Sequence, residues 1–94
     1  MKVFLTRRAE RNYETIREYI RNEWGPSVAE SFEEKVDDLF NLLVTFPEMG
    51  PIEKKDIRGF QISRQTRILY RIKGKRIIIL ALFDVRQDPR KKFR

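Results

Sequence analysis

The chain contains neither cysteine nor histidine. Without cysteine there are no disulfides and no thiolate metal sites. Without histidine the commonest metal ligand, the usual general base and the usual physiological pH switch are all missing. There is also no long apolar run. The longest, residues 77–83, has seven residues, far short of the ~18–20 needed to span a membrane. The N-terminal Met-Lys-Val-Phe-Leu-Thr runs into Arg7, Arg8 and Glu10, with neither the apolar region nor the cleavage site of a secretory leader. A cytoplasmic location and no membrane partner are expected. No cofactor is indicated, and a metal would have only carboxylates and water to bind it, with no cluster that suggests a site.

What the chain does have is charge. It has 94 residues, 37% of them charged and 40% hydrophobic, with a net charge of +7. That length suits one domain, and the apolar content is too high for a disordered chain. The second half is poor in acids. Residues 1–50 carry seven Lys/Arg and ten Asp/Glu, whereas residues 51–94 carry fourteen and four. Such asymmetry points to an anionic partner for the second half: nucleic acid, an acidic protein or a membrane surface.

Residues 2–6 are short and partly β-branched, and read as a strand. Thr6 is a plausible N-cap. Ala9, Tyr13, Ile16, Ile20 and Trp24 then recur every three or four residues, one apolar face of a helix. Gly25-Pro26 ends this helix and starts the next, through either a Ser27/Glu30 capping box or Pro26 at the first position. Val28, Phe32, Val36, Leu39, Phe40, Leu43 and Phe46 continue at helical spacing up to Pro47. Two helices joined this tightly form an antiparallel hairpin.

Residues 47–56 read as a loop. Residues 57–63 and 66–73 alternate as strands, with Ile68, Tyr70 and Ile72 on one face and Arg67, Leu69 and Arg71 on the other. Gly74 supplies a hairpin turn, and the apolar run after Arg76 reads as a strand covered on both faces. The expected fold is α+β: an N-terminal strand, then a helical hairpin packed on one face of an antiparallel sheet, in the order β-α-α-β-β-β. Residues 1–86 form the domain. Residues 87–94 form a basic tail expected to be at least partly disordered.

If the helices cover one face, the other is cationic. Lys54, Lys55, Arg58, Arg67, Arg71, Arg86 and, in the tail, Lys91 are the candidates to bind a phosphate or a carboxylate target, arginine being able to do so in a bidentate way. Asp84 and Asp88 are expected to pair with local arginines at an exposed site, where pairing contributes little. A lone Trp24 at the hairpin tip is more often a core or cap contact than a binding anchor.

Five tracts in order resemble a known family: Trp24-Gly25-Pro26, Phe46-Pro47-Glu48-Met49-Gly50, Ile57-Arg58-Gly59-Phe60, Thr66-Arg67-Ile68-Leu69-Tyr70 and Phe83-Asp84-Val85-Arg86-Gln87-Asp88-Pro89. Over nearly the whole chain they resemble the RelE/ParE superfamily of bacterial toxins from type II toxin–antitoxin modules. The resemblance implies growth inhibition, a role in plasmid stabilisation, and one of two activities. RelE-like members are ribosome-dependent mRNA endoribonucleases (mRNA interferases). ParE-like members inhibit DNA gyrase without a recognised catalytic centre.

Cleavage by 2′-OH attack needs a base, a charge stabiliser and a leaving-group acid. The positions matching the RelE-like basic residues are Gln61 and Ser63 here, both uncharged. Arg67 and Arg86 are retained, and no tyrosine or histidine follows Tyr70. Arginine, with a pKa above about 12, is a poor base. The reading is therefore a ParE-like binding inhibitor of gyrase. The alternatives are a ribonuclease using Arg67 and Arg86, with Lys91 and Lys92 compensating if the tail folds back, and a degenerate, non-toxic member. The resemblance also implies an acidic antitoxin with a C-terminal wrapping segment, for which Trp24, Arg67 and Arg86 are the contact candidates. Such a segment can add to a sheet edge or lay a helix in an apolar groove beside the hairpin, and its charge would speed association.

Overall fold

The computed structural model describes residues 1–87. Its elements are β1 (Lys2–Leu5), α1 (Arg7–Trp24), α2 (Pro26–Thr45), β2 (Ile52–Lys54), β3 (Ile57–Gln61), β4 (Thr66–Lys73) and β5 (Arg76–Asp84). The expected α+β architecture is present. Of the basic tail, residues 87–94, only Gln87 is among the described residues; Lys91 and Lys92 lie outside them.

Local chemistry sets the helix ends. The Thr6 side chain accepts a hydrogen bond from the Ala9 N–H at 3.1 Å, satisfying one donor that the first turn leaves unpaired. Gly25 serves both helices. Its N–H donates to the Arg21 carbonyl at 3.0 Å, and its own carbonyl accepts from Ala29 at 3.2 Å. Its φ of 95° is a conformation that a Cβ disfavours. Pro26 takes the first position of α2, and no side-chain cap forms. Of the two openings expected for α2, the Ser27/Glu30 box is therefore not the one used.

One face of the sheet receives both helices. Ile16 and Ile20 of α1, and Phe32, Val36 and Leu43 of α2, form one cluster with Ile68, Tyr70, Ile77, Ile79 and Leu82. Each fully buried aliphatic side chain contributes about 1.5–3 kcal/mol, and truncating one to alanine costs about 2–5 kcal/mol. Phe46, expected on the apolar face of α2, is instead 58% exposed.

The strand order is β1-β5-β4-β3-β2. Two features depart from the sequence reading. The segment read as a loop contains β2, three exposed residues paired with β3 through an irregular register. In addition, β1 runs parallel to β5, so the sheet is antiparallel only from β5 to β2. A helical hairpin returns the chain close to where it began, and β5 must then run alongside β1 in the same direction.

β1 covers only the first part of β5. Beyond it, Leu80 is an unpaired bulge residue, since Leu69 faces Ala81 and Tyr70 faces Ile79. Side chains complete this edge. Thr6 Oγ1 donates to the Leu80 carbonyl at 3.2 Å, and Asn12 Oδ1 accepts from the Leu82 N–H at 3.2 Å. Backbone groups that would otherwise template a foreign strand are thereby satisfied.

Candidate functional site

The face of the sheet away from the helices is laid out by strand register. At one end, Gln61, Arg67 and Phe83 are neighbours across β3, β4 and β5. At the other, Lys73 and Arg76 are partners across β4 and β5, and Lys2 follows across β1. Arg64, Gln65 and Val85 join Gln61, Arg67 and Phe83 around an open depression of about 560 Å³.

Arg67 does not point freely into solvent. Its guanidinium is ion-paired with Glu53, which the edge strand β2 carries across the sheet. Gly59 lies beneath this pair. A Cβ there would collide with the Glu53 carboxylate and with Arg67 Nη2 at 2.8 Å, so glycine keeps the crossing open. Arg71 pairs with Asp56 at 3.4 Å, and its Nε is buried without a partner among the described residues. Arg86 pairs with Asp84 at 2.8 Å. The picture of unpaired guanidiniums on this face is therefore not met: of the four acids in residues 51–94, three hold arginines. Composition counted the acids, but only the β2 crossing and the β2–β3 turn bring Glu53 and Asp56 to their partners.

Asp84 is not an exposed partner. Its side chain is fully buried. It accepts from Thr66 Oγ1 at 2.5 Å, and from Arg86 through the backbone N–H at 2.9 Å, Nε at 3.0 Å and Nη2 at 2.8 Å. This network ties the end of β5 to the start of β4. Arg58 likewise serves the fold. Its Nη1 donates to the carbonyls of Glu48 at 3.2 Å and Gly50 at 2.8 Å. Tyr70, fully buried, holds the same loop, accepting from the Gly50 N–H at 2.9 Å and donating to the Pro47 carbonyl at 2.8 Å. Three of the tracts noted in sequence are thus parts of one loop anchor.

The remaining candidates are dispersed. Gln61 Nε2 donates to the Ser63 carbonyl at 2.6 Å, and Ser63 Oγ accepts from the N–H groups of Gln65 and Thr66, both at 3.2 Å. Both side chains are used to build the β3–β4 turn. Lys54 and Lys55 are exposed at the end of β2. Lys55 has a φ of 54°, the left-handed conformation of a tight turn. Trp24 is 50% exposed at the helical tip, its ring tilted against Tyr19 at 6.0 Å, in a different layer from Arg67. A second concavity lies between α2 and β3, about 220 Å³ in volume and lined by Lys35, Asp38, Leu39, Leu42, Phe60 and Ile62. Among the described residues no group of three or more Asp or Glu is placed to hold a metal ion, and no helix is long and apolar enough to cross a membrane.

The fold has known counterparts. The family model for the ParE toxin of type II toxin–antitoxin systems, parDE, matches residues 3–89. A solved structure described as the chromosomal ParDE toxin–antitoxin system from P. aeruginosa superposes with a TM-score of 0.75 at 25% identity, covering 89% of this chain and 95% of that one. A YoeB/ParE toxin from Agrobacterium tumefaciens superposes with a TM-score of 0.67 at 19% identity, covering 89% of this chain and 98% of that one, a likeness of fold. A comparison with curated proteins finds no match. Since the family model spans nearly the whole chain, as do the RelE/ParE motifs, the chain belongs to the ParE toxin family of type II toxin–antitoxin systems.

Proposed function

We propose that this toxin inhibits growth by binding its target rather than by cleaving it, and that the target is DNA gyrase. One observation carries the reading: among the described residues, the four positions matched to RelE-like functional residues, Gln61, Ser63, Arg67 and Arg86, are each engaged within the protein itself. Gln61 and Ser63 build the β3–β4 turn. Arg86 is held by the buried Asp84, and Arg67 is neutralised by Glu53. A cleavage site needs a proton acceptor, a stabiliser of the developing phosphorane charge and a proton donor, and three groups free for those roles are not assembled among the described residues.

A type II module supplies an antitoxin partner. In our reading it is acidic, is steered in by the +7 charge in a salt-dependent way, and acts in the cytoplasm. Its wrapping segment has two places to dock: the groove between α2 and β3, where Leu42 is 43% exposed, and the outer edge of β2, whose three residues are all exposed.

The test combines purified toxin with gyrase and, separately, with translating ribosomes. Supercoiling should be blocked while mRNA stays whole, and expressing cells should filament with a DNA-damage response. Cut mRNA with unaffected gyrase would overturn the reading. The Glu53–Arg67 pair also favours a second reading: a phosphate that displaced the carboxylate from Arg67 would leave Glu53 beside it as a proton acceptor. In that case Glu53→Gln abolishes cleavage while the fold persists. Neither effect would identify a degenerate member.

A further inference from the structure

We infer that the end of the open face opposite Arg67 is a binding site for single-stranded nucleic acid, built from Lys2, Lys73, Arg76 and Phe4. The inference stands apart from the gyrase reading and does not depend on toxicity.

Lys2 and Arg76 are register partners, and so are Arg76 and Lys73. Three cations therefore lie in one row across β1, β5 and β4, about 4.8 Å from strand to strand. All three residues are exposed. The ion pairs found among the described residues engage Arg67, Arg71 and Arg86, and none involves this row. Nor does local sequence relieve it. Residues 57–83 contain seven Lys/Arg, Lys75 at the hairpin turn among them, and no Asp or Glu. Like charges placed directly opposite one another across strands are destabilising. The contrast is informative: further along the same strand Arg67 and Arg71 are each given an acid, and this row is not. A polyanion laid across the row supplies the missing counter-charge.

The next row specifies which polyanion. Phe4 is the register partner of Ile78, and it is 44% exposed on the same face. The Arg76 guanidinium lies over its ring, 5.5 Å from the centroid, so an incoming base stacks on a ring and guanidinium held together. An aromatic surface beside a track of cations is the arrangement that binds single strands, with phosphates following the charge and a base stacking on the ring. Every nucleotide brings a flat ring beside its phosphate, whereas an acidic peptide brings one only where it carries an aromatic residue. The site lies six residues along β4 from Arg67, about 20 Å, and is separate from the depression there.

The test is fluorescence anisotropy of the full-length chain with a labelled oligothymidylate of about twelve nucleotides, titrated between about 50 and 200 mM salt. Replacing Lys2, Lys73 and Arg76 together by glutamine should weaken binding at least about tenfold at the low-salt end. It should also reduce the slope of log K against log salt by about 2, from about 0.7 per phosphate contact. Lys73→Gln alone should reduce the slope by about 0.7. Replacing Arg7, Arg11 and Arg21 on α1 by glutamine removes the same charge and should change affinity by less than about threefold. Phe4→Leu should weaken binding about tenfold with the slope unchanged. The inference is overturned if both triple variants lose affinity equally, if Phe4→Leu binds like the parent, or if polyglutamate of equal charge displaces the oligonucleotide as well as unlabelled oligothymidylate does.

Discussion

Consider Arg86→Ala. Two roles can be assigned to Arg86, and they predict opposite things for stability. A phosphate clamp at an exposed site can be removed with little effect on folding. A counter-ion to a buried carboxylate cannot. The Asp84 side chain is fully buried and that of Arg86 is 20% exposed, and two of the four hydrogen bonds to Asp84 come from the guanidinium. Truncation leaves Thr66 and one backbone N–H to satisfy an enclosed charge. Breaking a buried pair by removing one partner costs about 3–5 kcal/mol. Because Arg86 is partly open to water, the lower end applies, about 3 kcal/mol. For a domain of this size that lowers the melting temperature by more than about 10 °C. Asp84→Asn removes the charge but keeps the shape, and the cation it leaves behind reaches solvent, so its loss should be smaller. The double variant should be less destabilised than the sum of the two singles, a coupling of about 1 kcal/mol or more. Urea unfolding of the four proteins followed by circular dichroism measures the cycle. An Arg86→Ala protein with the parent's midpoint would refute the argument. The consequence for activity work is direct: lost toxicity in Arg86→Ala is evidence about target contact only after the folded fraction has been measured.

Three further outcomes follow from the same structure. Tyr70→Phe strips the loop of residues 47–50 of a buried donor and acceptor; it should lose about 1–3 kcal/mol, and hydrogen exchange at the Gly50 amide should accelerate, unchanged exchange being the contrary result. The Tyr13 hydroxyl is held above its ordinary value of 10 by burial first, and then by the carboxylates of Glu33 and Asp37. Because the fold favours the neutral phenol, that contribution is intact below pH 10 and is lost as pH rises through the raised value; absorbance titration should show a late-ionising component for Tyr13 that is missing from a Tyr13→Phe protein. Asn12→Ala frees the Leu82 N–H at the uncovered edge of β5; it should lose about 1 kcal/mol and self-associate more readily, as read by light scattering, and a monomer as stable as the parent would argue against the edge role.

Strong local periodicity made most of the elements legible before any coordinates. Thr6, with the three-to-four spacing from Ala9 to Trp24, located α1, and the alternation around Ile68 and Tyr70 located β4 to the residue. Three features had no such signal. Strand β2 is three residues long with one apolar side chain, so neither alternation nor burial marks it. The parallel pairing of β1 with β5 is a contact between chain ends, and alternation within a strand says nothing about its neighbour. At the candidate site, alternation put Arg67 and Arg71 on the face away from the core. Their acid partners were invisible because Glu53 and Asp56 reach them only through the β2 crossing and the following turn. Asp84 misled for a related reason: it reads as the first polar residue after an apolar run, yet its place opposite Thr66 turns it toward the protein interior.

The pairing of β1 with β5 also sets a timetable. Of the five strands in this sheet, the one made first has as its only partner the one made last. The helical hairpin can form early from contacts near in sequence, but Lys2–Leu5 must wait until the chain has grown past Ile79, and such distant closures are the slow steps of folding. A nascent toxin therefore has its helices before it has its finished sheet. The surface that joins β1, β5 and β4 comes into being only after β5 has been made, so a chain truncated before Arg76 emerges without it.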